Sequence, residues 1–243
     1  MIQESAKGER VALVTGAVRG MGRATALALA RRVSGVAVHY RASAKEAAET
    51  VAEIERLGKR AVPFAADLTD EGRAADLVRK VEETFGRLDI LVNNIGPFLV
   101  KPWQELTGED WDAMFRGVLE SAHFCMKAAL PGMRRRGWGR VINIGYSRAE
   151  QLGSFPTIAP YAIAKTGLLI LTRTAAVSEV ANGVTVNMVS PGIIEGGVLP
   201  SAKIPPAAIG KFGDVAEAVA FLASDEAAAV TGANIIVAGT WKM

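Results

Sequence analysis

Two side chains in the segment at residues 141–165, Tyr161 and Lys165, have the types and the spacing that proton transfer to a carbonyl group requires. The segment reads VINIGYSRAEQLGSFPTIAPYAIAK. Residues four apart in a helix lie on one face, so we expect the phenol and the ammonium one turn apart. A nearby positive charge lowers the pKa of a tyrosine from its usual value of about 10. We therefore predict that Tyr161 is a general acid and that Lys165 assists it.

A glycine-rich turn, TGAVRGMG at residues 15–22, stands between a predicted strand and a predicted helix. Glycine lets a phosphate approach the backbone closely, and a helix N-terminus offers unpaired N–H groups with a partial positive charge. A glycine trio in this setting is typical of dinucleotide binding. We expect four residues of the turn to contact the dinucleotide: Gly16, Arg19, Gly20 and Met21.

The end of the second predicted strand, HYRAS at residues 39–43, contains no acidic residue. A site for NAD usually places an acid there to bind the ribose hydroxyls. The Arg41 guanidinium can instead pair with a 2′-phosphate, and the Ser43 hydroxyl can donate to it. Arg19 can approach the same phosphate, which an acid would repel. The sequence therefore predicts NADP(H) as the cofactor.

Short β-branched runs alternate with helix-forming stretches along the whole chain, and no linker interrupts them. The predicted strands are at 11–15, 36–40, 61–65, 89–93, 141–144, 184–190 and 235–237. Apolar strands that alternate with helices indicate a parallel sheet with helices on both faces. We predict one doubly wound α/β domain over residues 1–243, with about seven strands. Ligands of such sheets bind beyond the carboxyl ends of the strands, where the unusual residues stand.

The composition of the chain excludes several classes of protein. Half of the residues are hydrophobic and 22% are charged, which is typical of a globular protein. One cysteine and two histidines allow neither an internal disulfide nor a cluster of metal ligands. The net charge of +3 suits an anionic cofactor but does not indicate nucleic acid. We expect a cytoplasmic protein, because neither a membrane span nor a secretory leader is evident.

Five motifs follow one another in the order known from one enzyme family. They are TGAVRGMG, the Asp67-Leu68 pair, NNIG at 93–96, YAIAK at 161–165 and the Pro191-Gly192 pair. Together they resemble the short-chain dehydrogenase/reductase family, and specifically its 3-oxoacyl-acyl-carrier-protein reductase branch. The resemblance covers about residues 10–239. It implies a Rossmann-type fold and an NADP-dependent oxidoreductase.

The resemblance also implies further cofactor contacts. Asp67 would bind the adenine amine, with Leu68 beside it. Asn93 and Gly96 would pass close to the ribose, and Asn93 would also steady the sheet. Lys165 would hydrogen-bond the nicotinamide ribose. Three residues would approach the nicotinamide: Pro191, Gly192 and Ile194. The threonine that usually follows them is replaced by Gly196.

Two catalytic positions depart from the family. Its serine, which orients the substrate carbonyl, should follow the strand VINI, where this chain has Tyr146. The next residue, Ser147, faces the other side of an extended chain. Either Ser147 moves into place or Tyr146 offers its own hydroxyl. The family's helix asparagine corresponds to Val118, which cannot hold the water that relays protons to the lysine. We interpret the site as rewired, with catalysis retained.

The segment at residues 196–213 should cover the substrate. It is shorter than the family's lid, and three prolines stiffen it. Together with four aromatic residues it predicts a fairly apolar cleft: Phe98, Trp103, Tyr146 and Phe155. The same aromatics could equally form subunit contacts. Relatives assemble as dimers or tetramers through helices that correspond to residues 110–133 and 161–180, so we expect a homo-oligomer.

Three functions remain open at this point. The first is an NADPH-dependent reductase of a ketone, most plausibly a 3-oxoacyl thioester. The second keeps the fold and the cofactor but acts on a pteridine, a quinone or another small carbonyl compound, since the missing serine weakens the first assignment. The third is an NADP-binding regulator without turnover, which Val118 and Tyr146 favour and the intact Tyr161 and Lys165 pair opposes.

Overall fold

The computed structural model of the protein describes residues 9–197 and 208–238. Within these residues, seven parallel strands form one sheet in the order β3-β2-β1-β4-β5-β6-β7. The strands are β1 Val11–Val14, β2 Gly35–Tyr40, β3 Arg60–Ala65, β4 Ile90–Asn93, β5 Gly139–Ile144, β6 Val184–Pro191 and β7 Asn234–Val237. The predicted doubly wound α/β fold is confirmed. That residues 1–243 form a single domain stays a prediction.

Helices cover both faces of the sheet. They are α1 Gly20–Ala30, α2 Ala44–Arg56, α3 Glu71–Phe85, α4 Gly108–Met114, α5 Ser121–Arg136, α6 Ala159–Glu179 and α7 Phe212–Leu222. One apolar core lies between the sheet and α1, α2 and α7, and a second lies between the sheet and α3, α5 and α6. Central strands buried on both faces explain the continuous apolar runs of the sequence. In the described part of the chain, we find no helix with the length and apolarity that a membrane crossing requires.

The strand order reverses between β1 and β4. The chain builds outward from β1 to β3, then returns to the other side of β1 and continues to β7. Parallel sheets bind ligands in the crevice at such a reversal, outside the carboxyl ends of the strands. The fold therefore gathers the loops after β1, β4, β5 and β6 around one cleft.

The helix predicted across residues 110–133 is interrupted in the structure. A π-helical turn, Phe115–Glu120, joins α4 to α5. Gly117 lies in this turn, and a Cβ atom at that position would stand 2.6 Å from the Pro97 ring. The loop after β4 thus packs directly on the helix backbone. Helical periodicity alone does not reveal a turn of this kind, which is common at functional sites.

His39, in β2, ties the glycine turn to the sheet. Its Nδ1 accepts a hydrogen bond from the Gly16 N–H at 3.1 Å, and its Nε2 lies 3.1 Å from the Ala66 carbonyl oxygen. A carbonyl only accepts, so Nε2 carries the proton and the ring is neutral. Burial lowers the pKa of His39 to about 4. The sequence pattern does not reveal this residue, because its two partners are distant in the chain.

This neutral imidazole makes stability depend on pH. Between the unfolded pKa of about 6.5 and the folded value of about 4, the unfolded chain binds a proton that the folded chain excludes. Stability is therefore lost as the pH falls through this window. From about pH 7 to about pH 5, we expect His39 to account for a loss of about 2 kcal/mol.

Chemical denaturation at the two pH values measures this loss. His39→Asn should be less stable at neutral pH but should lose about 2 kcal/mol less than the wild type on acidification. His123→Asn, which changes an exposed histidine of α5, is the matched control and should keep the wild-type loss. An unchanged acid loss in His39→Asn would show that the ring is not held neutral.

Candidate active site

Lys165 of α6 is buried at the centre of the site, with 3% of its surface exposed. Its Nζ donates a hydrogen bond of 2.5 Å to the carbonyl oxygen of Ile144, the last residue of β5. Burial lowers the pKa of Lys165 to about 8, because the ammonium loses its hydration. The cation is therefore held at the carboxyl end of the central strands and keeps its charge at neutral pH.

Tyr161 lies one helical turn from this cation, as the spacing predicted. The Lys165 Nζ is 5.8 Å from the centroid of the Tyr161 ring. The ring also meets Phe98 and Tyr146, with centroid distances of 4.8 Å and 5.5 Å. Burial raises the pKa of Tyr161 above its usual value, and the Tyr146 phenol raises it further. The sequence predicted a pKa lowered by the ammonium and the oxidised nicotinamide ring together. For the protein side chains alone the direction is the opposite, because burial and the Tyr146 phenol both raise the pKa.

Both candidates for the missing serine reach the cleft. Tyr146 and Ser147 follow β5, and both side chains line the cleft wall. Ser147 is nearly fully buried, and its N–H donates to the Pro191 carbonyl at 3.0 Å. Tyr146 is less buried and lies directly beside the Tyr161 ring. The structure thus places the Tyr146 ring next to the proposed proton donor.

Val118 stands in the π-helical turn, fully buried. The Val118 and Lys165 side chains both pack against Gly96. A Cβ atom on Gly96 would lie 3.1 Å from the lysine Nζ and 3.7 Å from the valine Cγ2. Valine presents only methyl groups there. It offers no hydrogen bond near the ammonium, whose pKa is lowered by burial.

The two asparagines of the NNIG motif have different surroundings. Asn93 Nδ2 donates to Asn143 Oδ1 at 2.8 Å, and Asn143 Nδ2 donates to Thr172 Oγ1 at 2.9 Å, so the network joins β4, β5 and α6. The Asn93 side chain steadies the sheet, as predicted, and does not line the cleft. Asn94, which sequence analysis did not select, lines the cleft and donates to the Thr15 carbonyl at 2.8 Å.

The glycine turn leaves the N-terminus of α1 free for an anion. Gly16 and Gly20 have positive φ angles of 64° and 51°. The turn packs so closely that a Cβ atom on Gly22 would lie 2.2 Å from the Gly16 carbonyl oxygen. Among the described residues, no side chain caps α1, and its first turn contains no acid. The exposed Arg19 stands at the N-cap position and Met21 lines the cleft, so this turn fits a pyrophosphate.

The carboxyl ends of β2 and β3 form the far end of the predicted dinucleotide site. Arg41 is exposed directly after β2, and Ser43, at the N-cap of α2, makes no capping hydrogen bond. Hydrogen bonds from Thr69 lower the pKa of Asp67, and the Arg41 charge contributes in the same direction. Leu68 is buried. The Arg41 guanidinium acts on the Asp67 carboxylate, and the Ser43 hydroxyl follows Arg41 closely in the chain. A guanidinium, a hydroxyl and a carboxylate are groups that fit a phosphorylated ribose and an adenine amine.

The cleft has a volume of about 900 Å³. Five of the predicted cofactor contacts line it together with Tyr161 and Lys165: Met21, Gly96, Pro191, Gly192 and Ile194. Gly192 is required by close packing, since a Cβ atom there would lie 2.5 Å from the Ala238 Cβ. The other predicted contacts lie in the glycine turn, at the carboxyl ends of β2 and β3, or in the sheet interior.

The predicted substrate side is partly described. Phe98 and Tyr146 line the cleft, and the Phe155 ring lies 6.3 Å from that of Tyr146. Trp103 is 61% exposed and is not part of the cleft wall. Of the predicted cover, Gly196 and Gly197 line the cleft, whereas residues 198–207 lie outside the described ranges.

Known proteins resemble this chain in sequence and in fold. The family model described as enoyl-(acyl carrier protein) reductase matches residues 16–240. The 3-oxoacyl-[acyl-carrier-protein] reductase of Staphylococcus aureus strain Mu50 is 36% identical over 242 residues, which cover 96% of this chain and 98% of the relative.

Two solved structures superpose on nearly the whole chain. A blue fluorescent protein from a metagenomic library, in complex with NADPH, has a TM-score of 0.89 and 32% identity, covering 98% of this chain and 100% of its own. A short chain dehydrogenase from Burkholderia cenocepacia J2315, in complex with NADP, has a TM-score of 0.87 and 32% identity, covering 97% and 98%. The chain therefore belongs to the short-chain dehydrogenase/reductase family of oxidoreductases.

Proposed function

We propose that the protein is an NADPH-dependent reductase of a ketone, and that its substrate is a 3-oxoacyl thioester of fatty acid biosynthesis. The observation that carries the proposal is that Tyr161 and Lys165 lie together in the cleft. Met21 of the glycine turn lines the same cleft. The Staphylococcus aureus relative, at 36% identity, is named for this activity. A cytoplasmic location stays a prediction.

The residues that hold the cofactor differ from those of an NAD site. The free N–H groups at the N-terminus of α1 bind the pyrophosphate. Arg41 and Ser43 bind the 2′-phosphate at the position where an NAD site has an acid. The NADPH and NADP complexes of the two structural neighbours support this choice. When bound, NADPH supplies a hydride to the carbonyl carbon.

Tyr161 gives its hydroxyl proton to the carbonyl oxygen as the carbon receives the hydride, so that C=O becomes CH–OH and a phenolate remains. Burial opposes formation of this phenolate. The Lys165 charge stabilises the phenolate at neutral pH and offsets part of this penalty. The positive ring of the oxidised nicotinamide stabilises the phenolate further. Because Val118 holds no relay water, we expect reprotonation of Tyr161 to be slower than hydride transfer.

The aromatic wall of the cleft favours a second candidate substrate, a planar ring such as a quinone or a dihydropteridine. Phe98 and Tyr146 meet Tyr161 edge to face, and aromatic rings of a ligand pack well against such surfaces. A regulator without turnover is the third candidate. The buried cation at Lys165 argues against it, because a binding role alone does not require a buried charge beside a phenol.

A homo-oligomer is part of the proposal. Helix α6 carries three exposed apolar side chains at intervals of seven residues: Ile163, Ile170 and Val177, which are 48%, 62% and 80% exposed. A stripe of this kind on a helix suits packing against a second copy of the chain. The stripe is compatible with both a dimer and a tetramer.

Tyr161→Phe tests the proton donor. Absorbance of NADPH is followed with a panel of 3-oxoacyl thioesters, quinones and dihydropteridines. We expect the wild type to oxidise NADPH with the thioesters and the variant to lose at least about 10²-fold in kcat. Tyr40→Phe, in β2, is the matched control and should keep its activity.

The panel separates the three candidates. Turnover of quinones or dihydropteridines alone would transfer the proposal to the second candidate. NADPH binding without turnover of any compound would favour the regulator. Wild-type rates in Tyr161→Phe would exclude this phenol as the acid.

Arg41→Asp tests the choice of cofactor. Replacing the guanidinium by a carboxylate removes the phosphate contact and adds repulsion, so we expect the Kd for NADPH to rise about 10- to 100-fold. The Kd for NADH should change little. Fluorescence titration measures both constants. Arg56→Asp, an equal charge change at the far end of α2, is the control, and equal losses for NADPH and NADH in Arg41→Asp would refute the phosphate contact.

A further inference from the structure

The wall of the cleft contains an arginine that neither the family's motifs nor the proposed reaction uses. Arg148, two residues after Tyr146, is partly buried and lines the cleft. Its Nε donates to Gln151 Oε1 at 2.8 Å, and its guanidinium carbon lies 4.7 Å from the Phe155 ring centroid. These two contacts fix the position of the guanidinium. The Phe155 ring lies 6.3 Å from that of Tyr146, and the Arg148 charge acts on the Tyr146 phenol to oppose a rise in its pKa.

The cation near Tyr146 limits what the phenol can do. A guanidinium only donates hydrogen bonds, so the Tyr146 O–H cannot donate to Arg148 and must find its acceptor elsewhere. The neighbouring Tyr161 ring lies at 5.5 Å, and the Tyr146 phenol is close enough to raise the pKa of Tyr161. The two phenols therefore face the same part of the cleft.

We propose that Arg148 orients and polarises Tyr146, so that the Tyr146 hydroxyl donates a hydrogen bond to the substrate's carbonyl oxygen in place of the family's serine. The inference rests on the proposed reduction of a carbonyl. The oxygen then receives two phenol donors: Tyr161 transfers its proton, whereas Tyr146 keeps its own. Arg148 acts through Tyr146 and is a positioning residue.

The protonation of Tyr146 agrees with this role. Burial raises the pKa of Tyr146, and the Arg148 charge opposes that rise only in part. The phenol stays protonated at neutral pH and is a stronger donor than it would be without the cation. Each tyrosine thus has a positive group near it: Lys165 lies beside Tyr161, and the Arg148 charge acts on Tyr146.

Two other roles are less well supported. Ser147 lines the cleft but is nearly fully buried, and its backbone is fixed to Pro191. Arg148 itself could bind an acidic group of the substrate, yet its guanidinium already contacts Gln151 and the Phe155 face. Both alternatives are outcomes of the experiment below.

A double-mutant cycle on the single-turnover rate constant tests the coupling, with a 3-oxoacyl thioester and the NADPH-loaded enzyme, and steady-state assays give KM. We expect Tyr146→Phe to slow turnover about 10²- to 10³-fold, as loss of a donor to a developing oxyanion does. Arg148→Gln should slow it about tenfold with little change in KM, and Arg148→Lys should restore part of the rate. In the Tyr146→Phe background, Arg148→Gln should have no further effect.

Three results would overturn the proposal. The first is an equal loss for Arg148→Gln in both backgrounds, which indicates a merely structural role. The second is a loss in Ser147→Ala with none in Tyr146→Phe, which assigns the donor to the serine. The third is a rise in KM for acidic substrates alone, which makes Arg148 an anion anchor.

A second measurement does not depend on turnover. The chain contains three tyrosines, so a Tyr40→Phe/Tyr161→Phe protein keeps only the Tyr146 phenol. Absorbance then follows the ionisation of Tyr146 alone. Arg148→Gln should raise its apparent pKa, and an unchanged value would refute the polarising contact. If the wild type reduces no compound of the panel, the proposed function and the donor role both fail, whereas this titration still decides whether Arg148 polarises Tyr146.

Discussion

The contact between the Lys165 ammonium and the Ile144 carbonyl is the interaction on which the rest of the site depends. A cation buried this deeply is stable only with a hydrogen-bond partner, and the end of β5 supplies one at 2.5 Å. That contact fixes the depth and rotation of α6 on the sheet. It thereby places Tyr161, one turn earlier, at the mouth of the cleft. Burial lowers the pKa of Lys165 to about 8, so the ammonium loses its proton only slightly above neutral pH.

A buried polar network maintains this placement from behind. Asn93 on β4 bonds Asn143 on β5, which bonds Thr172 on α6, and the Thr172 hydroxyl donates to the Leu168 carbonyl at 2.7 Å. Each group in this chain is expensive to bury unpaired, so the strands and the helix have one preferred register. On the cofactor side, His39 plays a similar part by holding Gly16 and Ala66 to the end of β2.

The sequence was sufficient where function follows from local spacing. The glycine turn, the Tyr161 and Lys165 pair and the strand–helix alternation each involve neighbours in the chain, and the predicted fold class is confirmed. Contacts between distant segments were missed, among them those of His39, Asn94 and the π-helical turn. Arg148 was also missed, although its partners are near in sequence, because the conformation of the loop after β5 does not follow from any periodic pattern.

The reversed direction of the Tyr161 pKa shift has a related cause. The four-residue spacing revealed the cation, but not the burial or the Tyr146 phenol that oppose it. Likewise, alignment from the strand VINI left Tyr146 and Ser147 as alternatives, since the loop can turn either side chain inward. Only the ring contacts with Tyr161 and Phe155 distinguish them.

The central claim is that positive charge overcomes burial and makes Tyr161 an acid. Tyrosine absorbance in a Tyr40→Phe/Tyr146→Phe protein reports Tyr161 alone, and titration with and without bound NADP⁺ tests the claim directly. Without NADP⁺, we expect the pKa of Tyr161 to lie above the ordinary tyrosine value. Binding of NADP⁺ should lower this pKa clearly, and the decrease should be smaller in Lys165→Met. A pKa that stays unchanged while NADP⁺ is bound would contradict the account.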